Sequence, residues 1–250
     1  MLRNEAGRCL GDRQIGASRF IARNKLIVSI HQPAYLPWLG YLDRIAASDR
    51  FIFLDTVQFE KNSFTNRNLI KTHNGKLWLT IPVLSKGHTT SSLHDLKIDN
   101  SQDWRSKHLR SIEQNYKKAP YFKDRFPKLV AIYEPEDSLA DLCFRHLQFW
   151  AGEFKLGADI VRASDLGGEG KKSDLILSLC KRAGATTYLS GSYGREYLDE
   201  VAFAEAGIEL KFHQFVPQPY SQLFGDFFPT AAALDYWMNV GDPSKFGKAP

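Results

Sequence analysis

Two hydrophobic periods alternate along this chain. Leu26, Ile27, Val28 and Ile30 form a short apolar run rich in β-branched residues, which predicts a buried strand. Trp38, Leu39, Leu42, Ile45 and Ala46 then fall at i, i+1, i+4, i+7 and i+8, the spacing of one helix face. Arg50 and the apolar run Phe51-Ile52-Phe53-Leu54 predict a second strand, closing a βαβ unit. The alternation returns in the C-terminal half. Residues 159–163 predict a strand, and Ser173 an N-cap for a helix carried by Leu175, Ile176, Leu179, Cys180 and Ala183 and stopped by Gly184. A strand over 186–189, a helix over 197–206 and a strand over 208–212 follow. Connections this short predict parallel strands with right-handed crossovers. The expected fold class is α/β, with a mostly parallel, Rossmann-like sheet.

Between the two halves the pattern changes. Asn74-Gly75 is a two-residue hairpin signal between runs at 69–73 and 76–83. A short strand is expected over 93–99 and helices over 103–156, with Asp103 as a cap, Pro120 as a stop, and Pro127 and Pro135 as breaks. Leu139, Leu142, Cys143, His146, Leu147, Trp150 and Phe154 make one long stripe at helical spacing. His146 and Cys143 lie on that stripe and read as core packing rather than as ligands. The expectation is a single domain over 26–250 with an inserted hairpin-plus-helical lobe over 59–155.

Composition changes this picture little. The 250 residues are 43% hydrophobic and 24% charged, ordinary for a globular chain. No apolar run approaches the ~20 residues of a bilayer span. Four of the five net positive charges sit in residues 1–25, where Arg3, Arg8, Arg13, Arg19, Arg23 and Lys25 face only Glu5 and Asp12. That segment reads as a disordered basic leader, not a secretory signal. The near-neutral remainder argues against nucleic acid as the partner and suits a small anion such as a nucleotide or nucleotide sugar. Cys9, Cys143 and Cys180 are odd in number and far apart, which fits a reducing cytoplasm.

Two strand-to-helix turns carry the candidate chemistry. The first holds His31 and Gln32, stiffened by Pro33 and Pro37, with Tyr35, Trp38 and Tyr41 around them. In an open α/β sheet such turns face the ligand crevice. The alternative is a rigid turn whose aromatics only pack. The second is Ser190-Gly191-Ser192-Tyr193-Gly194-Arg195, with Tyr197 just beyond: glycines admit close backbone approach, serines offer hydroxyls, and Arg195 can grip phosphate or carboxylate. After the second strand, Asp55, Gln58, Arg67 and Asn68 concentrate polar groups. Asp55 is a candidate base or sugar-hydroxyl ligand, and Arg67 a holder of an anionic group. No zinc spacing, Walker loop or nucleophile elbow is present. The polar loop over 85–92 is a candidate lid.

The run His31-Gln32-Pro33-Ala34-Tyr35-Leu36-Pro37-Trp38-Leu39-Gly40-Tyr41 resembles the opening signature of the WbqC-like protein family. Residues 54–59 with Asn66-Arg67-Asn68, then Leu189-Ser190-Gly191 with residues 194–198, then Pro219-Tyr220 with Gln222, match in order. The resemblance implies a bacterial cytoplasmic protein associated with O-antigen or exopolysaccharide biosynthesis. The layout also resembles that of HIGH-type nucleotidylyltransferases, although Ala34 stands where their second His would be.

The expected function is a transferase or ligase acting on a nucleotide-linked sugar. His31, Asp55 and Arg67 would be catalytic. Gln32, Tyr35, Trp38, Gln58, Asn68, Ser190, Gly191, Ser192, Gly194, Arg195 and Tyr197 would bind substrate. ATP, a nucleotide sugar and Mg²⁺ remain open as cofactors, and Asp55 is the one carboxylate placed to meet such a cation. The competing expectation is a non-catalytic scaffold module, marked by an exposed apolar patch.

Overall fold

The computed structural model describes residues 25–84 and 92–246. The expected basic leader (but for Lys25) and the candidate lid (but for Ser92) lie outside the described residues. In chain order the elements are β1 (Ile27–His31), α1 (Leu39–Ala46), β2 (Arg50–Phe53), β3 (Arg67–Thr72), β4 (Gly75–Thr80), α2 (Trp104–Tyr116), α3 (Phe122–Ala131) and α4 (Leu139–Glu153). They continue with β5 (Asp159–Arg162), α5 (Ala163–Leu166), α6 (Ser173–Arg182), β6 (Thr187–Ser190), α7 (Glu200–Glu205), β7 (Glu209–Phe212) and α8 (Ala233–Asn239).

Five strands form one parallel sheet in the order β5-β2-β1-β6-β7. This is the α/β, Rossmann-like arrangement the two βαβ patterns predict. The period-2 alternation of the strands divides the interior. Phe51 and Phe53 face a core shared with α1, α2, α4 and α8. Val28, Ile30, Ile52 and Leu54 face the opposite core with α6 and α7. β3 and β4 make a separate antiparallel pair. Gly75, with φ +106°, supplies the left-handed residue their turn requires. Among the described residues, no helix is long and apolar enough to cross a membrane.

Several local expectations need correction. Residues 93–99 form a 3₁₀ turn at Leu93–Asp95 and isolated bridges rather than a strand. α3 runs straight through Pro127, losing one backbone bond but held by Leu129 in the core and by the stacking of Phe122 on Phe126. Ser173 is the first residue of α6, not its cap, and its hydroxyl accepts instead from the Asp199 N–H. α7 starts only at Glu200, where Asp199 caps the Ala202 N–H; Ser192–Glu196 is a 3₁₀ turn. As the helical stripe predicts, His146 is fully buried on α4 beside the Ile132 carbonyl, and Cys143 is buried on the same helix.

The turn after β1 is pinned from outside. Leu36 takes a left-handed φ of +46°, costly for a branched side chain. The Asn68 side-chain amide donates to the Leu36 carbonyl, and the Tyr35 N–H donates to the carbonyls of Phe64 and Thr65. Asn68 is fully buried in this role. Replacing Asn68 with Ala should therefore lower stability by about 1–3 kcal/mol through an orphaned carbonyl, measured as a shifted urea midpoint. An unchanged midpoint would show that the amide does not hold the turn.

Candidate functional site

β1 sits between β2 and β6, and the chain leaves it first toward β2 and returns later on the other side to form β6. Strand order therefore reverses at β1/β6, and in such sheets the crevice opens at the carboxyl ends of these two strands. A cavity of about 710 Å³ lies there. Its walls combine the turn after β1, one face of α1, the Ser190–Gly194 turn, the 63–65 segment, and His213 and Phe215 after β7. That volume is within the roughly 300–1,000 Å³ of small-molecule sites.

Eight of the sequence-derived residues meet in this cavity: His31, Gln32, Trp38, Ser190, Gly191, Ser192, Gly194 and Tyr197. One of the glycines is sterically enforced, and another lies close under the flexible end of Arg44. A Cβ on Gly194 would lie 2.0 Å from Ser190 Oγ, and one on Gly191 would lie 2.4 Å from Arg44 Nη1. The two turns, some 160 residues apart, thus face a common space.

Six others are elsewhere. Asp55 is fully buried and does not line the cavity; its two oxygens accept from the Ser164 N–H and hydroxyl, with Arg162 Nη1 at 3.8 Å and His94 Nδ1 at 3.7 Å, so it clamps β2 to the segment after β5. Arg67 donates to the Asn62 carbonyl and side chain and lies 4.3 Å over the Trp78 ring. Asn68 is the turn support described above. Tyr35 is buried, its hydroxyl bonded to His108 and Tyr133. Gln58 bridges to Ser92 and does not line the cavity. Arg195 leaves the site to lie 4.0 Å over Phe212. Polar residues after a strand end read alike in sequence whether they bind ligand or fasten loops; the Asn66-Arg67-Asn68 run fastens.

His31 packs edge-on against Trp38 and Tyr41, and its Nδ1 lies 2.9 Å from the Gln32 carbonyl. That bond puts the proton of the neutral ring on Nδ1 and leaves Nε2 as the lone-pair acceptor. Burial pushes the His31 pKa down to about 3; the Arg44 charge adds to this, and the Gln32 bond opposes it. His31 is thus neutral at physiological pH.

Sequence reasoning missed Arg44 and the pair formed by His213 and Asp43. Gly40, Tyr41 and Arg44 share the α1 face that lines the cavity, at i, i+1 and i+4. The signal was a cation one turn beyond Gly40 on a helix whose other face is the apolar stripe. Arg44 is only 6% exposed, and among the described residues its guanidinium makes no hydrogen bond or ion pair; its Nε is sealed without an acceptor. Burial holds its pKa below the usual value, opposed by the phenols of Tyr188, Tyr41 and Tyr197, yet a guanidinium stays charged. Next to Arg44 on α1, Asp43 has a carboxylate oxygen 2.7 Å from His213 Nε2. A carboxylate so placed fixes tautomer and ring orientation, leaving Nδ1 to act as a base.

The lowered pKa of His31 has a consequence for stability. Folding favours its neutral form, so between its ordinary 6.5 and about 3 the unfolded chain binds more protons. Its contribution is present above about pH 6.5 and is lost as pH falls toward 3, at up to about 1.4 kcal/mol per pH unit. Urea midpoints between pH 7.5 and 4.5 should fall less steeply in His31→Gln than in the unaltered protein. Equal slopes would contradict a neutral His31.

The comparisons agree with one another. The model of the WbqC-like protein family matches residues 32–245. The "Uncharacterized protein Rv1507c" of Mycobacterium tuberculosis (strain ATCC 25618 / H37Rv) is 36% identical over 217 residues, covering 86% of this chain and 94% of that protein. No solved structure matches. With the opening signature at the crevice and the match spanning both halves of the sheet, the chain belongs to the WbqC-like protein family.

Proposed function

We propose that this protein is a group-transfer enzyme acting on an activated, nucleotide-linked sugar, in keeping with the polysaccharide biosynthesis its family resemblance implies. One observation carries the reading: His31 and the Ser190–Gly194 turn line the same switch-point cavity. The remaining walls suit such a substrate. Trp38, Tyr41, Phe64, Tyr188, Tyr193, Tyr197 and Phe215 give flat apolar surface for a base or a sugar ring. Ser190 and Ser192 offer hydroxyls, and Gln32 adds hydrogen-bonding capacity.

Proton handling falls to two histidines. His213, oriented by Asp43, is the better general base, because a carboxylate partner stabilises the imidazolium it becomes. His31 presents Nε2 as an acceptor for a substrate hydroxyl. Transfer would then proceed by removal of the acceptor proton as the acceptor oxygen bonds to the sugar carbon and the nucleotide leaves with the bonding electron pair.

A second reading, a binding module without chemistry, is supported by the partly exposed rings of Phe64 and Trp78, which pack against each other beside β4. The two readings part at ligand binding and turnover. A panel of nucleoside diphosphates and sugar nucleotides, each at about 100 times its dissociation constant, should stabilise the enzyme by roughly 2.7 kcal/mol in its thermal midpoint. With the substrate so identified, His213→Gln should lower kcat by ~10²–10⁴-fold, read as release of nucleoside diphosphate. No stabilisation by any member of the panel would overturn the transferase reading and leave the binding module.

A further inference from the structure

Arg44 presents an energetic problem that the cavity itself resolves. A charge taken out of water requires a partner, yet this guanidinium, 6% exposed, has none among the described residues. Its surroundings are hydroxyls: the nearby phenols of Tyr41, Tyr188 and Tyr197. The adjacent carboxylate on α1, Asp43, is taken by His213. Glu60, also in the cavity wall, is exposed and forms no ion pair with Arg44. The backbone keeps room for the guanidinium where it stands, since any side chain at Gly191 would come within 2.4 Å of Nη1. A buried cation in a preserved niche, opening on a cavity with serine hydroxyls, is the arrangement an oxyanion would complete.

We infer that Arg44 is the anion-binding residue of the cavity, and that its ligand is a phosphate or diphosphate group held between the guanidinium fork and the Ser190–Ser192 turn. The inference rests on the cavity being the substrate site and adds the chemistry of the group bound there. Planar guanidinium and tetrahedral phosphate match in a two-point contact. Arg195 and Arg67, the arginines that sequence pattern favoured for this role, lie over Phe212 and Trp78 instead. The charge also bears on His31: a bound anion beside Arg44 offsets the cationic field that helps keep His31 unprotonated. Ligand binding and proton affinity in the cavity are thereby coupled.

The test is calorimetric titration of the full chain with inorganic pyrophosphate, and with glucuronate as a carboxylate of sugar size. The unaltered protein should bind pyrophosphate, with affinity falling as salt rises. Arg44→Met, which keeps the stem and removes the charge, should weaken pyrophosphate binding about 10–100-fold. Without ligand it should be no less stable than the unaltered protein, because it removes an unpaired buried charge. Gly191→Ala is the second variant: it crowds only the flexible end of Arg44 and should weaken pyrophosphate binding while leaving unfolding midpoints nearly unchanged. Pyrophosphate affinity that is equal in Arg44→Met and the unaltered protein would overturn the proposal. So would an unaltered protein that binds glucuronate but not pyrophosphate. If sugar nucleotides are turned over with the same KM in Arg44→Met, the anion site falls and the transferase reading stands. If pyrophosphate binds through Arg44 and no sugar nucleotide binds, the transferase reading falls and the anion site stands.

Discussion

The parallel pairing of β1 with β2 on one side and β6 on the other is the constraint on which the rest of the molecule depends. Because β1 lies inside the sheet, the first βαβ unit must leave it in one direction and the C-terminal units must approach from the other. The turns that follow β1 and β6 therefore share an edge without packing into each other, and a crevice opens between them. Burial on both faces of β1 fixes its register, so His31 and Ser190 cannot drift from that edge. The 64–68 segment then holds the β1 turn from above through the buried Asn68 amide and the strained Leu36. Much of what lies outside the cavity serves this geometry, including the Asp55 clamp to Ser164.

Within the crevice the electrostatics are unbalanced. A buried guanidinium faces neutral phenols, and a neutral histidine shares its field. The unpaired guanidinium raises the energy of the cavity, and a negative ligand would relieve it. Strain of this kind is expected at a functional site rather than in a structural core, because the structure around it must hold it in place. The neighbouring Asp43 carboxylate is engaged by His213 and does not pair with Arg44.

The fold was largely legible, because buried parallel strands and amphipathic helices write their periods directly into the chain. The β1 and β6 turns were legible for the same reason: strand, polar or glycine-rich turn, helix. Failures clustered where sequence shows residue type but not direction. Arg195 and Arg67 fit the chemistry of anion binding, yet each finds an aromatic ring nearer than the cavity. Asp55 and Asn68 looked like ligand groups because a buried clamp uses the same atoms as a substrate contact. Arg44 and His213 went unseen for the opposite reason. Arg44 sits on the helix face opposite the apolar stripe, where a lone cation reads as solvated, and His213 gains meaning only when β7 brings it beside Asp43, 170 residues earlier.

The central claim is that an anionic ligand enters the β1/β6 crevice and pairs with Arg44. A crystal structure of the full chain grown with a nucleoside diphosphate tests it most directly. The account predicts phosphate density within hydrogen-bonding distance of the Arg44 guanidinium and the Ser190–Ser192 turn, with His31 and His213 lining the same space. Phosphate density seated instead among Lys71, His73 and Lys76, in the separate cavity beside the β3–β4 turn, with the crevice unaltered, would contradict it.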